Sequence, residues 1–319
     1  MHWLESTWLQ FALCAVLVGF AGAQLSIAGD AIARRTGLSG SWIGLALLAT
    51  VTSLPELATG ITSVTIANAP NLALGDALGS CVINLVFLVF IDLFFRRGAV
   101  WQLAGKGHVL AAAFGILMLG LTLTTLQMGQ LKASSENPLA AALTEAGFML
   151  ATPLLLVLYL VAMRTVFAFE SAQPSESGQP SEPRDRDASS AITKFALAAL
   201  VVIAAGCWLP FVSSQLARDM GWNNSFVGTL FVAMVTSAPE LAITMTAVKI
   251  GAVNMAIGNL LGSNLFNVAI IAVDDLAYRP GSLFAAVSGV HAFTTGSAIS
   301  MTGRSEEHTS ELQSPDHLV

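Results

Sequence analysis

Charge is what this chain has least of. Only 11% of its 319 residues are Asp, Glu, Lys or Arg, against about 25% in soluble globular chains. That scarcity, with 55% hydrophobic residues and a mean hydropathy of +0.71, excludes an ordinary soluble domain and specifies an integral membrane protein. Cysteine is scarce too. Cys14, Cys81 and Cys207 lie far apart in apolar runs with no C-x-x-C pair, so neither a disulfide framework nor a zinc site is expected, and they read as small buried hydrophobes. There is no H-E-x-x-H, no G-x-S-x-G elbow and no phosphate loop. His108 and His291 fall near expected span ends, and Asp92, Asp274 and Asp275 read as hydrated acids at helix ends. The start, "MHWLESTWLQF", lacks the basic region of a cleaved signal peptide.

What the chain does have is long apolar runs. Spans are expected near 8–33, 41–67, 71–95, 107–128, 140–166, 192–217, 225–249, 254–277 and 283–303. Between the fifth and sixth lies "SAQPSESGQPSEPRDRDASS" (171–190), rich in Pro, Ser and acid, which reads as a disordered hydrophilic linker. With the N-terminus outside, Arg34, Arg35, Arg96, Arg97, Lys106, Arg164, Arg184, Arg186, Lys194 and Lys249 fall at cytoplasmic ends, against Lys132, Arg218 and Arg279 outside. That bias follows the positive-inside rule and puts the linker in the cytoplasm. The last segment, "RSEEHTSELQSPDHLV" (304–319), turns polar abruptly where an apolar span should continue. It is expected to be a non-native tail, with a short native polar tail as the other reading.

One string occurs twice. "VTSLPELATG" at 51–60 returns as "VTSAPELAIT" 184 positions later, and the match extends back to Ser41 and Gly44. After a one-residue deletion, "NLALGDALGSCVINL" meets "NMAIGNLLGSNLFNV". This is an internal duplication. Five expected spans separate the copies, and an odd number inverts one copy relative to the other. Inverted repeats of this kind place substrate and ion sites where the halves meet at the membrane midplane.

The repeated residues carry the chemistry. Pro55 and Pro239 each remove a helical hydrogen bond and should open their helices near Val51 and Val235. Glu56 and Glu240 put carboxylates at mid-membrane, at a cost on the order of 2.5–3.5 kcal/mol by insertion scales for Asp. No Lys or Arg falls at mid-depth to pair with them. Thr52 and Ser53 precede Glu56 by about one turn, and Thr236 and Ser237 precede Glu240 likewise, so each set should share a face. Ser80 with Asn84 and Ser263 with Asn267 add neutral oxygens at i and i+4 on the next span. Asn84 and Asn267 can instead serve helix-to-helix hydrogen bonds. Two such oxygen sets suit a hard cation such as calcium, magnesium or sodium. Gly75, Gly79, Gly258 and Gly262 should let that span pack closely.

The pairing of "VTSLPELA…GDALGSCVIN" with "VTSAPELA…GNLLGSNLFN" resembles the alpha-repeats of the cation/calcium exchanger superfamily, the sodium/calcium exchanger membrane region of bacterial type. The resemblance covers roughly residues 8–303. It implies an all-α membrane protein, an inverted-topology repeat of two five-helix halves, with ten helices in the family and about nine here. It implies calcium ligation by Glu56 and Glu240. Sodium sites would use Thr52, Ser53, Thr236 and Ser237 and the carbonyls of Ala49 and Ala233, with Ser80, Asn84, Ser263 and Asn267 as further ligands. Asp76 stands where the family usually has Asn, Cys81 stands where the second copy has Asn264, and Asn occupies both 84 and 267. Two carboxylates rather than three are then expected at the site.

The expected organisation is a first repeat at 1–170 (spans 1–5), a cytoplasmic linker at 171–190, a second repeat at 191–303 lacking its last span, and the tail at 304–319. The expected function is exchange of calcium for sodium by alternating access in a bacterial inner membrane. The alternatives are a proton-coupled antiporter, a passive channel, or an intramembrane enzyme using the glutamates as acid and base. No cofactor is expected beyond the transported calcium and sodium or protons. The partners are inorganic cations and the lipid bilayer, with no nucleic acid, and the oligomeric state is left open.

Overall fold

Apolar runs in lipid must satisfy their own backbone groups, and helices do so within one segment. The structure, a computed structural model, describes residues 6–33, 48–94, 106–134, 137–171 and 188–312, and among these it is helical with no strand. In chain order the helices are α1 (Thr7–Ala33), α2 (Ala49–Thr52), α3 (Leu54–Thr65), α4 (Pro70–Phe94), α5 (Lys106–Ser134), α6 (Pro138–Ser171) and α7 (Ala188–Met220). They continue with α8 (Asn224–Thr236), α9 (Ala238–Lys249), α10 (Val253–Ala277), α11 (Leu283–Ala286) and α12 (Val290–Leu312). Six of these are long and apolar enough to cross a membrane, or seven when α8 and α9 are taken as one span bent by 43°. Ser41, Gly44, Arg34, Arg35, Arg96, Arg97 and the linker from 172 to 187 lie outside the described residues.

The ninth expected span, 283–303, is not one helix. It is a single turn, α11, then a break and α12. Asp275 explains the break: its carboxylate accepts from Ser282 Oγ at 3.1 Å and from the Leu283 amide at 2.6 Å, and so caps a turn that a continuous helix would not contain. Asp275 also takes the Thr152 hydroxyl, tying α10 to α6.

α4 and α10, the repeated G-x-x-x-G-S helices, sit at the centre. In its most apolar 18-residue stretch α10 is 89% buried, whereas that of α6 is 28% buried and faces mostly outward. α1 pairs with α7 on one side, and α5, α6 and α12 close the other. The halves interlock through small residues. A Cβ on Gly22 of α1 would lie 2.8 Å from Pro239 Cβ, and one on Gly206 of α7 would lie 3.0 Å from Ala58 Cβ and 3.1 Å from the Pro55 carbonyl oxygen. Gly22 and Gly206 are 184 positions apart, so each half seats the proline helix of the other.

Candidate functional site

Both proline motifs break their helices, two residues later than expected. The carbonyls robbed of a donor belong to Val51 and Val235, but the backbone leaves the helix at Ser53 (φ −85°, ψ 14°) and Ser237 (φ −80°, ψ 4°). Each serine stands at the N-cap position of the next helix without its hydroxyl capping it, and Pro55 and Pro239 sit in the first turns of α3 and α9, where a missing N–H costs nothing. The glutamate follows immediately. Glu56 and Glu240 therefore occupy first turns, at the positive ends of α3 and α9, where a carboxylate is stabilised.

Both glutamates are buried, at 1% and 0% exposure. Each accepts two serine hydroxyls on Oε1. Glu56 takes Ser80 and Ser237, both at 3.5 Å. Glu240 takes Ser263 at 3.3 Å and Ser53 at 3.0 Å. The arrangement corrects the expectation that each Ser-Glu pair stays within its own motif: Ser53 serves Glu240 and Ser237 serves Glu56. Sequence spacing puts Ser53 near Glu56, but the turn at Ser53 redirects the hydroxyl across the repeat boundary. The second oxygen, Oε2, of both glutamates is buried without a hydrogen-bond partner among the described residues.

The threonines join the two sets. Thr52 Oγ1 lies 3.4 Å from Ser263 Oγ and bonds the Ala49 carbonyl at 3.2 Å. Thr236 Oγ1 lies 3.5 Å from Ser80 Oγ and within 3.3 Å of the Ala233 carbonyl. Its shortest contact is to Asp76 Oδ1, at 2.8 Å. Asp76 is buried at 1% exposure with Oδ2 unpartnered. It is a buried acid joined to the site through Thr236, and it was not counted among the expected ligands. The signal was in the sequence, as G-D-x-x-G-S in one copy against G-N-x-x-G-S in the other. The counterpart residue, Asn259, instead donates to Thr244 Oγ1 at 3.2 Å and to the Glu240 carbonyl at 3.4 Å.

The asparagines divide. Asn84 donates to Asn264 Oδ1 at 3.0 Å, and Asn264 donates in turn to the Cys81 carbonyl at 3.2 Å, so α4 and α10 are laced together here. Among the described residues Asn84 Oδ1 has no hydrogen-bond partner, and neither amide atom of Asn267 has one. Cys14 and Cys81 are buried free thiols and Cys207 is half-buried, as expected. His291 is fully buried, with Nε2 3.2 Å from Asn71 Oδ1, and joins α12 to α4. Asp274 is not the hydrated end-of-helix acid the sequence suggested. It has no exposed surface, because α3 packs over it.

Among the described residues no group of three or more His, Cys, Asp or Glu side chains is placed to hold a metal by itself. The donors here are carboxylates interleaved with hydroxyl, amide and carbonyl oxygens, a set that suits hard cations. The description "Sodium/calcium exchanger protein" belongs to a family model that matches residues 6–168 and 190–300. The chain belongs to that family. It is a cation/calcium exchanger transporter of the membrane, not an enzyme. It is 25% identical over 271 residues to the inner membrane protein YrbG of Escherichia coli, covering 84% of this chain and 78% of that one. It is 26% identical over 278 residues to the putative antiporter CaxA of Alkalimonas amylolytica, covering 86% and 81%. Its fold is similar to that of the sodium-calcium exchanger NCX_Mj, at a TM-score of 0.57 and 19% identity over 94% of this chain and 89% of that one. It is also similar to that of the H+/Ca2+ exchanger CAX, at a TM-score of 0.66 and 14% identity over 96% and 80%. The inverted repeat of two five-helix halves is the architecture this family expects.

Proposed function

We propose that this exchanger moves calcium against sodium by alternating access, with the cations held between the two broken helices. The observation that carries this is the pair of buried glutamate oxygens, one in each repeat, that have no hydrogen-bond partner among the described residues. Glu56 and Glu240 supply the charge. Ser53, Ser237, Thr52, Thr236, Ser80 and Ser263 supply hydroxyl oxygens. Asn84 and Asn267 supply amide oxygens, and Ala49 and Ala233 supply carbonyls. Asp76 adds a third negative charge through Thr236. A single pocket that cannot hold both cargo ions at full strength couples their movements, since calcium must leave before sodium fills the oxygens. Only loaded states should cross readily.

Coupling to protons is the second reading. The likeness to the H+/Ca2+ exchanger CAX supports it, while NCX_Mj and the 40% identity over 55 residues to the sodium/calcium exchanger MaX1 of Methanosarcina acetivorans support sodium. Calcium uptake into vesicles carrying the protein decides between them. An outward sodium gradient should accelerate uptake, and a proton gradient alone should not. The reverse result assigns proton coupling, and uptake indifferent to both gradients removes the antiporter.

In this reading the protein lies in a bacterial inner membrane with its N-terminus outside. Residues 1–170 and 191–303 form the two repeats, and the 171–190 linker is cytoplasmic. Reporters fused within 171–190 should read cytoplasmic, and those near 68–70 should read external. The same side for both undoes the parity on which the orientation rests.

A further inference from the structure

The polar residues do not stop at the glutamates. On α3, Glu56, Gly60 and Ser63 stand at i, i+4 and i+7, on one face. On α10, Ser263, Asn267 and Asp274 follow each other with spacings of four and seven. The two helices pack together. Asp274 is fully buried, and neither carboxylate oxygen has a partner among the described residues. The Ser63 hydroxyl and both amide atoms of Asn267 are equally buried and unpartnered. Gly60 is what admits the acid: a Cβ there would lie 2.7 Å from Oδ1 and 2.8 Å from Cγ of Asp274. Beyond Ser63 and Asp274, the ends of the two helices border a surface cavity of about 360 Å³ lined by Val64, Thr65, Asn68, Ala277, Arg279 and Pro280.

The fold does not require this row. In the other repeat the matching positions are Thr244, Ala247 and Ile91. Ala247 and Ile91 are buried and apolar, and the Thr244 hydroxyl is taken by Asn259. Among the described residues, the matching row in the other repeat carries no acid. A buried carboxylate without donors costs several kcal/mol, and no hydrogen bond among the described residues offsets it.

We propose that Asp274, with Ser63, is a second cation site, a way-station between the surface cavity and the Glu56–Glu240 centre. All its donors are oxygens, so it takes the same hard cations. One carboxylate makes it weaker than a centre with a pair of glutamates, as a transit site must be if ions are to leave it. The inference rests on the exchanger reading above.

The test is sided calcium exchange by the full chain in oriented vesicles, measured against calcium concentration on each face in turn. Asp274→Ala should raise the half-saturating calcium about tenfold on the cavity side only and leave exchange at saturating calcium intact. Asp274→Asn, which keeps the shape, should do the same, and so should Gly60→Ala, which drives a methyl into the carboxylate. Adding Asp274→Ala to Gly60→Ala should produce no further loss. Inserted variants with wild-type half-saturation on both faces overturn the proposal. So does an equal loss on both faces, which would make Asp274 part of the centre or of the scaffold. A wild-type protein with no calcium exchange instead overturns the exchanger reading, and the way-station with it.

Discussion

Glu56→Gln and Glu240→Gln should each abolish calcium exchange while the protein still inserts and folds. The amide keeps the size of the side chain and one oxygen but removes a charge. A unit-charge pair at 4 Å contributes about 4 kcal/mol at an effective dielectric constant near 20, and about 1.4 kcal/mol corresponds to a tenfold change in affinity. A divalent ion doubles that figure, so losing one of its counter-charges should weaken binding by about a thousandfold or more. Stability should hold or rise, since an amide costs less to bury than a carboxylate, and Oε2 of each glutamate has no donor to lose. Calcium binding by the purified variants, read beside their thermal unfolding, checks both halves of the expectation. Near wild-type exchange by an inserted Glu56→Gln protein would remove the glutamate pair from the site.

The second large effect is structural. Gly79→Ala should destabilise the protein and weaken the union of its halves. A Cβ on Gly79 would lie 2.8 Å from Thr229 Cα and 2.8 Å from Ala233 Cβ. Thr229 Cα is backbone and cannot swing aside. Overpacking of this kind costs about 1–3 kcal/mol, and more where backbone must move. Gly120 supplies the contrast. It lies in mid-helix with nothing within 4 Å of an added Cβ, so Gly120→Ala should stabilise by about 0.5–1 kcal/mol through helix propensity. Thermal unfolding of the two variants in one detergent should move in opposite directions. A Gly79→Ala protein as stable as wild type would mean that α4 does not press on α8 this closely.

The duplicated motifs made the site legible because they combine two features lipid penalises, a helix-breaking proline and an unpaired acid, and repeat them at one spacing. Residue spacing could not reveal the crossing of Ser53 to Glu240. Period arguments place side chains on one helix, and Ser53 stands at a point where the helix stops. Nor could it reveal the π-helical turn at Val227–Val232 within α8, whose composition does not set it apart from its neighbours. Asp76 was visible as the odd residue in its motif, but its role depends on Thr236, 160 positions away. The burial of Asp274 was hidden for a similar reason. Its position near a helix end suggests water, and only the absence of a side chain on Gly60, on another helix, lets it sit inside.

The crossed serines set a rule for motion. Ser53–Glu240 and Ser237–Glu56 run in opposite directions across one boundary, so any slide of one half along the other stretches both bonds at once. Neither half can creep forward by releasing a single latch. If the chain were cut in the linker, the two pieces would still meet as a two-fold pair, each supplying the hydroxyl that the other's carboxylate accepts.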